Sequence, residues 1–105
     1  MRKPSSMSGV ALGMMLIAAT GPASAGDPAA GKAKAAMCAG CHGSDGISLN
    51  PLWPNLAGQK EGYLIKQLRA FRDGTRKDPL MGPVAKNLSD EDIENLAAYF
   101  SGLKP

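Results

Sequence analysis

The stretch KAAMCAGCHGSDG, residues 34–46, decides how the rest of the chain is interpreted. It places two cysteines three positions apart, Cys38 and Cys41, and His42 directly follows the second. The chain has no other cysteine and no other histidine. Because all three side chains fall within five consecutive positions, the sequence indicates that they share one chemical task.

The first 25 residues have the pattern of an export signal. A basic start, MRKPSSMSG, is followed by the uncharged apolar run VALGMMLIAA and by a small-residue pattern that ends at Ala25. These are the three parts of a secretory signal peptide, and the run is shorter than the about 20 apolar residues that span a bilayer. We expect cleavage after Ala25, a periplasmic mature domain at residues 26–105 and no stable membrane insertion; a retained anchor is the alternative.

The charge of the chain gives no argument for a nucleic-acid partner. The full 105 residues carry 12 basic and 9 acidic side chains, a formal charge of +3. Two of the basic residues, Arg2 and Lys3, lie in the predicted signal peptide, so that the mature domain keeps ten basic and nine acidic residues. We therefore expect no nucleic acid among the partners.

The size of the mature domain predicts that something besides side chains fills its interior. Domains at or below about 80 residues usually need a disulfide, a metal or another staple, because one apolar core supplies only a few kcal/mol. The chain offers one tryptophan, two tyrosines and two phenylalanines. An additional group in the core is therefore expected.

Three interpretations of Cys38 and Cys41 are open. A redox or structural disulfide of the CxxC type needs a preceding strand and a parallel sheet, and the chain has no strand pattern. Structural zinc needs four ligands, and this segment supplies three. Covalent haem attachment has C-x-x-C-H as its signature: two thiols on one helical turn can each add to a vinyl group of the same porphyrin, beside His42. The sequence favours this third interpretation.

The first of three predicted helices includes this motif. DPAAGKAKAAMCAG, residues 27–40, opens with Asp27 as N-cap and Pro28 at the first helical position. Its alanines and lysines favour helix. Gly31 offers a place where another helix could approach closely.

The other two predicted helices complete an all-α fold. KEGYLIKQLRAFRDG, residues 60–74, ends at Gly74, and SDEDIENLAAYFSG, residues 89–102, opens with Ser89 as N-cap and acids in its first turn. Each carries a row of mostly apolar residues at helical spacing, which predicts one buried face. The stripes are Tyr63, Leu64, Gln67, Leu68 and Phe71, and Ile93, Leu96, Ala97, Phe100 and Leu103.

Five segments together resemble the class I c-type cytochromes, in their short bacterial single-haem form, which is similar to one domain of the two-haem cytochromes c. The segments are CAGCHGSDG, PNLAGQ, YLIKQLRAFRDGTR, DPLMGPVA and LSDEDIENLAAYF, and they follow the family's order over residues 27–103. The resemblance implies a small cytochrome c fold, in which three main helices and loops wrap around one covalently attached haem c with its iron.

The resemblance also implies a role for each site residue. Cys38 and Cys41 match the thioether positions, and His42 matches the proximal iron ligand. Pro54 matches the residue whose carbonyl accepts a hydrogen bond from the other ring nitrogen of that histidine, as metal-bound histidines normally require. Met81 matches the sixth ligand of the iron.

Two methionines of the mature domain, Met37 and Met81, are candidates for the sixth ligand. Met81 lies in DPLMGPVA, residues 78–85, where two prolines and a glycine disfavour regular helix, so we expect a loop there. A lone methionine is more often core filling than a ligand. Met37, however, directly precedes Cys38 on the proximal side, which favours Met81 as the distal ligand.

One position departs from the family pattern. Many relatives carry an aromatic residue in the first helix between the glycine and the first cysteine, where this chain has Ala35. We expect the contact of Gly31 with Tyr99 or Phe100 to persist, with less buried area at that helix crossing.

The surroundings of the haem can also be proposed from the sequence. Aliphatic packing around the ring would tune its potential. The candidates for that wall are Leu52, Trp53, Leu56, Leu64, Leu68, Leu80 and Val84. Arg76, Trp53 and Gln59 are candidates for hydrogen bonds to the haem propionates, with a solvated position as the alternative.

A histidine and methionine pair fills both axial positions of the iron and is associated with a raised potential. We therefore expect one-electron transfer without catalysis, by a soluble periplasmic electron carrier. The alternative is a haem c subunit of an exported flavoprotein or dehydrogenase complex, and a more distant one is an enzyme or gas sensor with an open sixth site. The expected partners are redox proteins, such as an exported dehydrogenase, a flavoprotein or a terminal oxidase.

The charges of the second half suggest how such a partner would approach. Six basic residues lie between Lys66 and Lys86 against two aspartates, whereas four acids and one lysine follow Asn87. This separation would steer an acidic partner toward the Met81 side. A solvated face without that role is the alternative.

Overall fold

The computed structural model describes residues 26–105, and they form helices joined by loops. The helices are α1 (Pro28–Lys34), α2 (Ala39–His42), α3 (Glu61–Asp73), α4 (Met81–Ala85) and α5 (Asp90–Ser101), with a 3₁₀ turn at Ala35–Met37 between α1 and α2. The described range contains no strand, which confirms the predicted all-α class. The predicted signal peptide lies outside the described residues, and within residues 26–105 no helix is long and apolar enough to cross a membrane.

The predicted helix ends follow from local hydrogen bonds. The Asp27 carboxylate accepts a hydrogen bond from the Ala29 backbone N–H at 2.9 Å, at the start of α1. Ser89 and Asp92 form a reciprocal capping box at the start of α5. The bond that the Asp92 carboxylate accepts from the Ser89 N–H lowers the pKa of that carboxyl. Helix α3 ends at Gly74, whose φ of 86° lies in the left-handed region that glycine adopts without strain.

Helices α1 and α5 cross at Gly31. A β-carbon added there would overlap the Asn95 carbonyl and lie 2.8 Å from Tyr99 Cβ, so only glycine allows this approach. The Asn95 side chain also accepts a hydrogen bond from the Asp27 N–H at 2.8 Å. Ala35, 7% exposed, joins the buried core, so the small residue at this position packs between the helices.

Helix α3 packs against α5 through apolar contacts and through ion pairs at the surface. Leu64 of α3 belongs to the same buried cluster as Ile93, Leu96 and Phe100 of α5. Arg72 Nη1 lies 2.8 Å from Asp90 Oδ1. This guanidinium lowers the pKa of the Asp90 carboxyl below its ordinary value.

The ion pairs change the predicted charge separation. Arg69 reaches Glu94 at 3.5 Å and Asp90 at 3.8 Å, and Arg72 also contacts Asp90. Folding therefore brings two basic residues of α3 against acids of α5. The rest of the predicted basic segment consists of Lys66, Arg76, Lys77 and Lys86.

The prediction of a loop around Met81 is wrong, because Met81 begins the short helix α4. The Asp78 carbonyl accepts a hydrogen bond from the Gly82 N–H at 3.0 Å, which starts the turn before Met81. Pro83 is compatible with this turn because the first residues of a helix have no intrahelical partner for their N–H groups. The two prolines thus restrict the backbone without preventing one helical turn.

We expect Gly31→Ala to destabilise the haem-loaded protein by about 1–3 kcal/mol, because the backbone of α5 must move to admit a methyl group. The matched control is Gly62→Ala in α3, where a β-carbon meets nothing within 4 Å. That change should be neutral or stabilising by about 0.5–1 kcal/mol. Denaturant unfolding of both variants measures the difference, and equal stabilities would contradict the close crossing.

Candidate functional site

A cavity of about 450 Å³ lies between the Cys38–His42 segment, the following loop and helices α3 and α4. Its lining includes Cys38, Cys41, His42 and Met81. The volume falls in the range of sites for small molecules and cofactors, about 300–1,000 Å³. Side chains that lie up to 43 positions apart in the sequence thus face one space.

The turn around Cys38 places both sulfurs and the imidazole at this cavity. The Cys38 carbonyl accepts hydrogen bonds from the His42 N–H at 2.9 Å and from the Cys41 N–H at 3.3 Å. Cys38 is half-buried and Cys41 is exposed, and no disulfide joins them. Burial, with Cys41 as a smaller cause, raises the pKa of the Cys38 thiol to about 11.

The hydrogen bond of His42 defines its tautomer. The side chain is 7% exposed, and its Nδ1 lies 2.8 Å from the Pro54 carbonyl oxygen. Because a carbonyl can only accept, Nδ1 must carry the proton. The lone pair therefore resides on Nε2, for which the described residues supply no hydrogen-bond partner. A buried nitrogen with a free lone pair is what an axial metal ligand requires.

A polar loop holds the Pro54 carbonyl in place. Asn55 Oδ1 accepts a hydrogen bond from the Ser48 N–H at 2.7 Å, and Ser48 Oγ binds both the N–H and the carbonyl of Asn50. The Gly46 carbonyl accepts from the N–H groups of residues 56 and 57 at 2.8 and 3.0 Å. The position of Pro54 is thus fixed by bonds on both sides of it.

Every residue predicted for the wall of the site lines the cavity. These are Leu52, Trp53, Leu56, Leu64, Leu68, Leu80 and Val84. Leu52 and Leu80 are 83% and 57% exposed, so they lie at its open edge. These apolar side chains surround the cavity instead of filling it.

The three residues predicted to contact propionates also line the cavity. Arg76 lies with its guanidinium 4.5 Å from the centre of the Phe71 ring and donates to Gln67 Oε1 at 2.6 Å. Trp53 and Gln59 lie in the lining as well. Polar groups thus accompany the apolar wall, as in most cofactor sites.

Two kinds of lining residue were not predicted for the site. Tyr63, Gln67 and Phe71 line it from α3. Their helical spacing with Leu64 and Leu68 could have indicated that they face the same site. Asn55 and Asp78 line it from loops. For Asp78, the sequence offered one indication of a helical turn, an Asp-Pro pair like the one that starts α1.

The chain belongs to the cytochrome c family, since the family model "Cytochrome c" matches residues 28–104. It is therefore an electron-transfer protein, not an enzyme, and its cofactor is covalently bound haem c. The cavity fits that group: two thiols, an imidazole with a free Nε2 and a thioether sulfur line one largely apolar space.

Several proteins are similar to this chain. Cytochrome c-554(548) of Halomonas halodenitrificans is 52% identical over 80 residues, which are 73% of this chain and 96% of that protein. Cytochrome c4 of Pseudomonas aeruginosa is 52% identical over 80 residues, 76% of this chain and 40% of that protein. The crystal structure of reduced cytochrome c4 from Pseudomonas stutzeri superposes with a TM-score of 0.73 at 46% identity, covering 76% of this chain and 47% of that one.

A further relative is named for its partner. It is a thiosulfate dehydrogenase electron acceptor of Thiomonas intermedia, 47% identical over 79 residues, 73% of this chain and 36% of that protein. The chain thus spans nearly the whole length of the Halomonas protein but half or less of the cytochromes c4 and of this electron acceptor.

We expect Ser48→Ala to loosen the loop that presents the Pro54 carbonyl, at a cost of about 1 kcal/mol for the lost hydrogen bonds. A less fixed acceptor makes the His42 ring less electron-rich, so the reduction potential should rise. Ser44→Ala, at an exposed position of the same loop, is the control and should leave the potential unchanged. Equal potentials for the two variants, measured by redox titration, would show that this network does not act on His42.

Proposed function

We propose that the protein is a periplasmic electron carrier in which Cys38 and Cys41 form the thioether bonds to haem and His42 and Met81 are its axial ligands. The observation that carries this proposal is that all four side chains line one cavity. The bound haem supplies a single redox centre that alternates between Fe(III) and Fe(II). The polypeptide has to hold the ligands, restrict water and present the site to partners.

His42 meets the first requirement through its hydrogen bond. The Pro54 carbonyl holds the proton on Nδ1, which orients the ring and leaves Nε2 as the ligating atom. Met81, at the start of α4, supplies a sulfur from another wall of the same cavity. If His42 and Met81 both bound the iron, no position would be left for a substrate, as a carrier requires.

The aliphatic wall meets the second requirement. Buried Leu64 and half-buried Leu56 and Leu68 are part of the cavity lining. Such packing limits solvent access and lowers the local dielectric, both of which tune a redox potential. The side chains that form the core of the domain thus also set the properties of its cofactor.

The proposed location rests on the sequence. We infer that the signal peptide directs export and is cleaved after Ala25, which leaves residues 26–105 as a soluble periplasmic domain. The absence of a membrane-spanning helix within that range is compatible with this location. Thioether attachment also suits an exported protein, because covalent bonds retain the haem in a compartment where lost haem is not recovered.

The proposed ligand can be tested with a matched pair of methionine variants. Met81→Ala should remove the sulfur ligand, so that the weak far-red band of sulfur–iron ligation disappears and the reduction potential falls. Met37→Ala is the control, because Met37 lines the same cavity but is assigned no bond to the iron. It should retain the band and the potential of the unmodified protein.

Two results would contradict the ligand assignment. If Met81→Ala retained the far-red band, another group would be the sixth ligand. If the unmodified haem-loaded protein lacked the band and bound carbon monoxide directly, the sixth position would be open. The second result would support a sensor or enzyme over a carrier.

A second candidate function is that of an electron-accepting subunit of an exported dehydrogenase. The relative named as a thiosulfate dehydrogenase electron acceptor favours this alternative. It uses the same haem and the same ligands, and it differs in whether the protein stays bound to its electron donor. Size-exclusion chromatography of native periplasmic extract distinguishes the two: a free carrier elutes as a small domain, whereas a subunit elutes with the enzyme.

The charge of the surface bears on how a free carrier would meet its partner. Lys66, Arg76, Lys77 and Lys86 are not used in the ion pairs between α3 and α5. If they steer an acidic partner, electron transfer to it should slow markedly as salt increases from 0.01 to 0.15 M, where the Debye length falls from about 30 to 8 Å. A flat salt response would exclude steering.

A further inference from the structure

The Asp78 side chain caps the segment that carries Met81. Its Oδ1 accepts hydrogen bonds from the N–H groups of Leu80 and Met81, both at 2.8 Å. Its backbone carbonyl accepts from the Gly82 N–H at 3.0 Å. These bonds follow the N-cap pattern around the turn of residues 79 and 80 that leads into α4, and they restrain the backbone nitrogen of the proposed sixth ligand directly.

The start of α1 provides an internal comparison. Asp27 also precedes a proline, its carboxylate accepts from Ala29 N–H at 2.9 Å, and its carbonyl accepts from Gly31 N–H at 2.9 Å. Helix α1 is then held by its crossing with α5 at Gly31. The Asp27 and Asp78 side chains thus make similar hydrogen bonds, but the helix that follows Asp27 is also held by a close helix crossing.

Helix α4 contacts α3 but buries little of its own surface. It is five residues long, far below the about 12–15 residues at which an isolated helix becomes even marginally stable. Only Ala85 within it is buried, and Leu80 before it is 57% exposed. Besides the packing of Ala85 in the core, the order of this segment therefore depends on the Asp78 bonds and on whatever Met81 itself binds.

We propose that Asp78 is a positioning residue for the sixth ligand: its hydrogen bonds to Leu80 and Met81 keep residues 78–85 in the conformation that places the Met81 sulfur at the cavity. This proposal rests on the proposed role of Met81. If Met81 were displaced from the iron, residues 78–85 would lose one of the interactions that hold them and would open, and the Asp78 bonds would be lost with it. Asp78 therefore sets how readily an external ligand displaces Met81.

The test is a titration of the oxidised, haem-loaded protein with imidazole, followed by absorbance. Asp78→Ala should bind imidazole about tenfold more tightly than the unmodified protein, since loss of an N-cap weakens the closed segment by an amount equivalent to about one decade in an equilibrium constant. Met81→Ala sets the upper limit, because its sixth position is open without any displacement.

Two conservative variants separate the hydrogen bond from the charge. Asp78→Asn loses the charge but keeps a cap oxygen, and asparagine caps helices as well as aspartate. It should bind imidazole within about twofold of the unmodified protein. Asp78→Glu keeps the charge but displaces the oxygen from the capping position, so it should bind imidazole more tightly, as Asp78→Ala does. It also serves as the informative variant if Asp78→Ala does not accumulate.

Asp27→Ala is the control for general loss of stability. It removes the matching cap from α1, distant in sequence from Met81, and should leave imidazole affinity unchanged while lowering the midpoint of unfolding. Imidazole affinity that is equal in Asp78→Ala and the unmodified protein would overturn the proposal, as would an equal increase in Asp27→Ala. If Met81→Ala bound imidazole no more tightly than the unmodified protein, the ligand assignment itself would fail, and the role of Asp78 with it.

Discussion

The interior of this domain is an apolar cavity of about 450 Å³, and the rest of the structure depends on what fills it. A domain of about 80 residues has little apolar surface of its own to bury. Here the leucines that would form an ordinary core line the cavity, while α5 supplies Ile93, Leu96 and Phe100 to a buried cluster behind it. Covalently bound haem is therefore the missing part of the hydrophobic core as well as the redox centre.

The chain holds its two proposed axial ligands by different means. His42 follows the attachment motif on a short helix and is 7% exposed, and the Pro54 carbonyl orients its ring from a loop with many internal hydrogen bonds. Met81 lies on a five-residue helix with one buried residue, capped by Asp78. His42 is thus held by burial and by a bonded loop, whereas the segment of Met81 is held by the Asp78 bonds and by the packing of Ala85. We therefore expect the site to open at the segment that carries Met81, and not at His42.

Most of the fold could be predicted because its signals are local. Asp27, Ser89 and Gly74 each begin or end a helix through bonds to residues within four positions, and the α5 stripe reads directly as a buried face. The helix at Met81 was missed because the composition of residues 78–85 argues against helix. The carboxylate of Asp78 reverses that preference through hydrogen bonds that a propensity scale does not contain. The bonds that fix Pro54 could not be predicted either, because they join residues up to eleven positions apart in a loop without periodicity.

The most direct test of the account is the intact mass of the exported protein under denaturing conditions. The expected mass is that of residues 26–105 plus one haem, since thioether bonds at Cys38 and Cys41 survive unfolding. This result would support both the covalent attachment and cleavage after Ala25. A mass equal to the unmodified chain, or one lowered by the two hydrogens lost in a Cys38–Cys41 disulfide, would contradict the central claim.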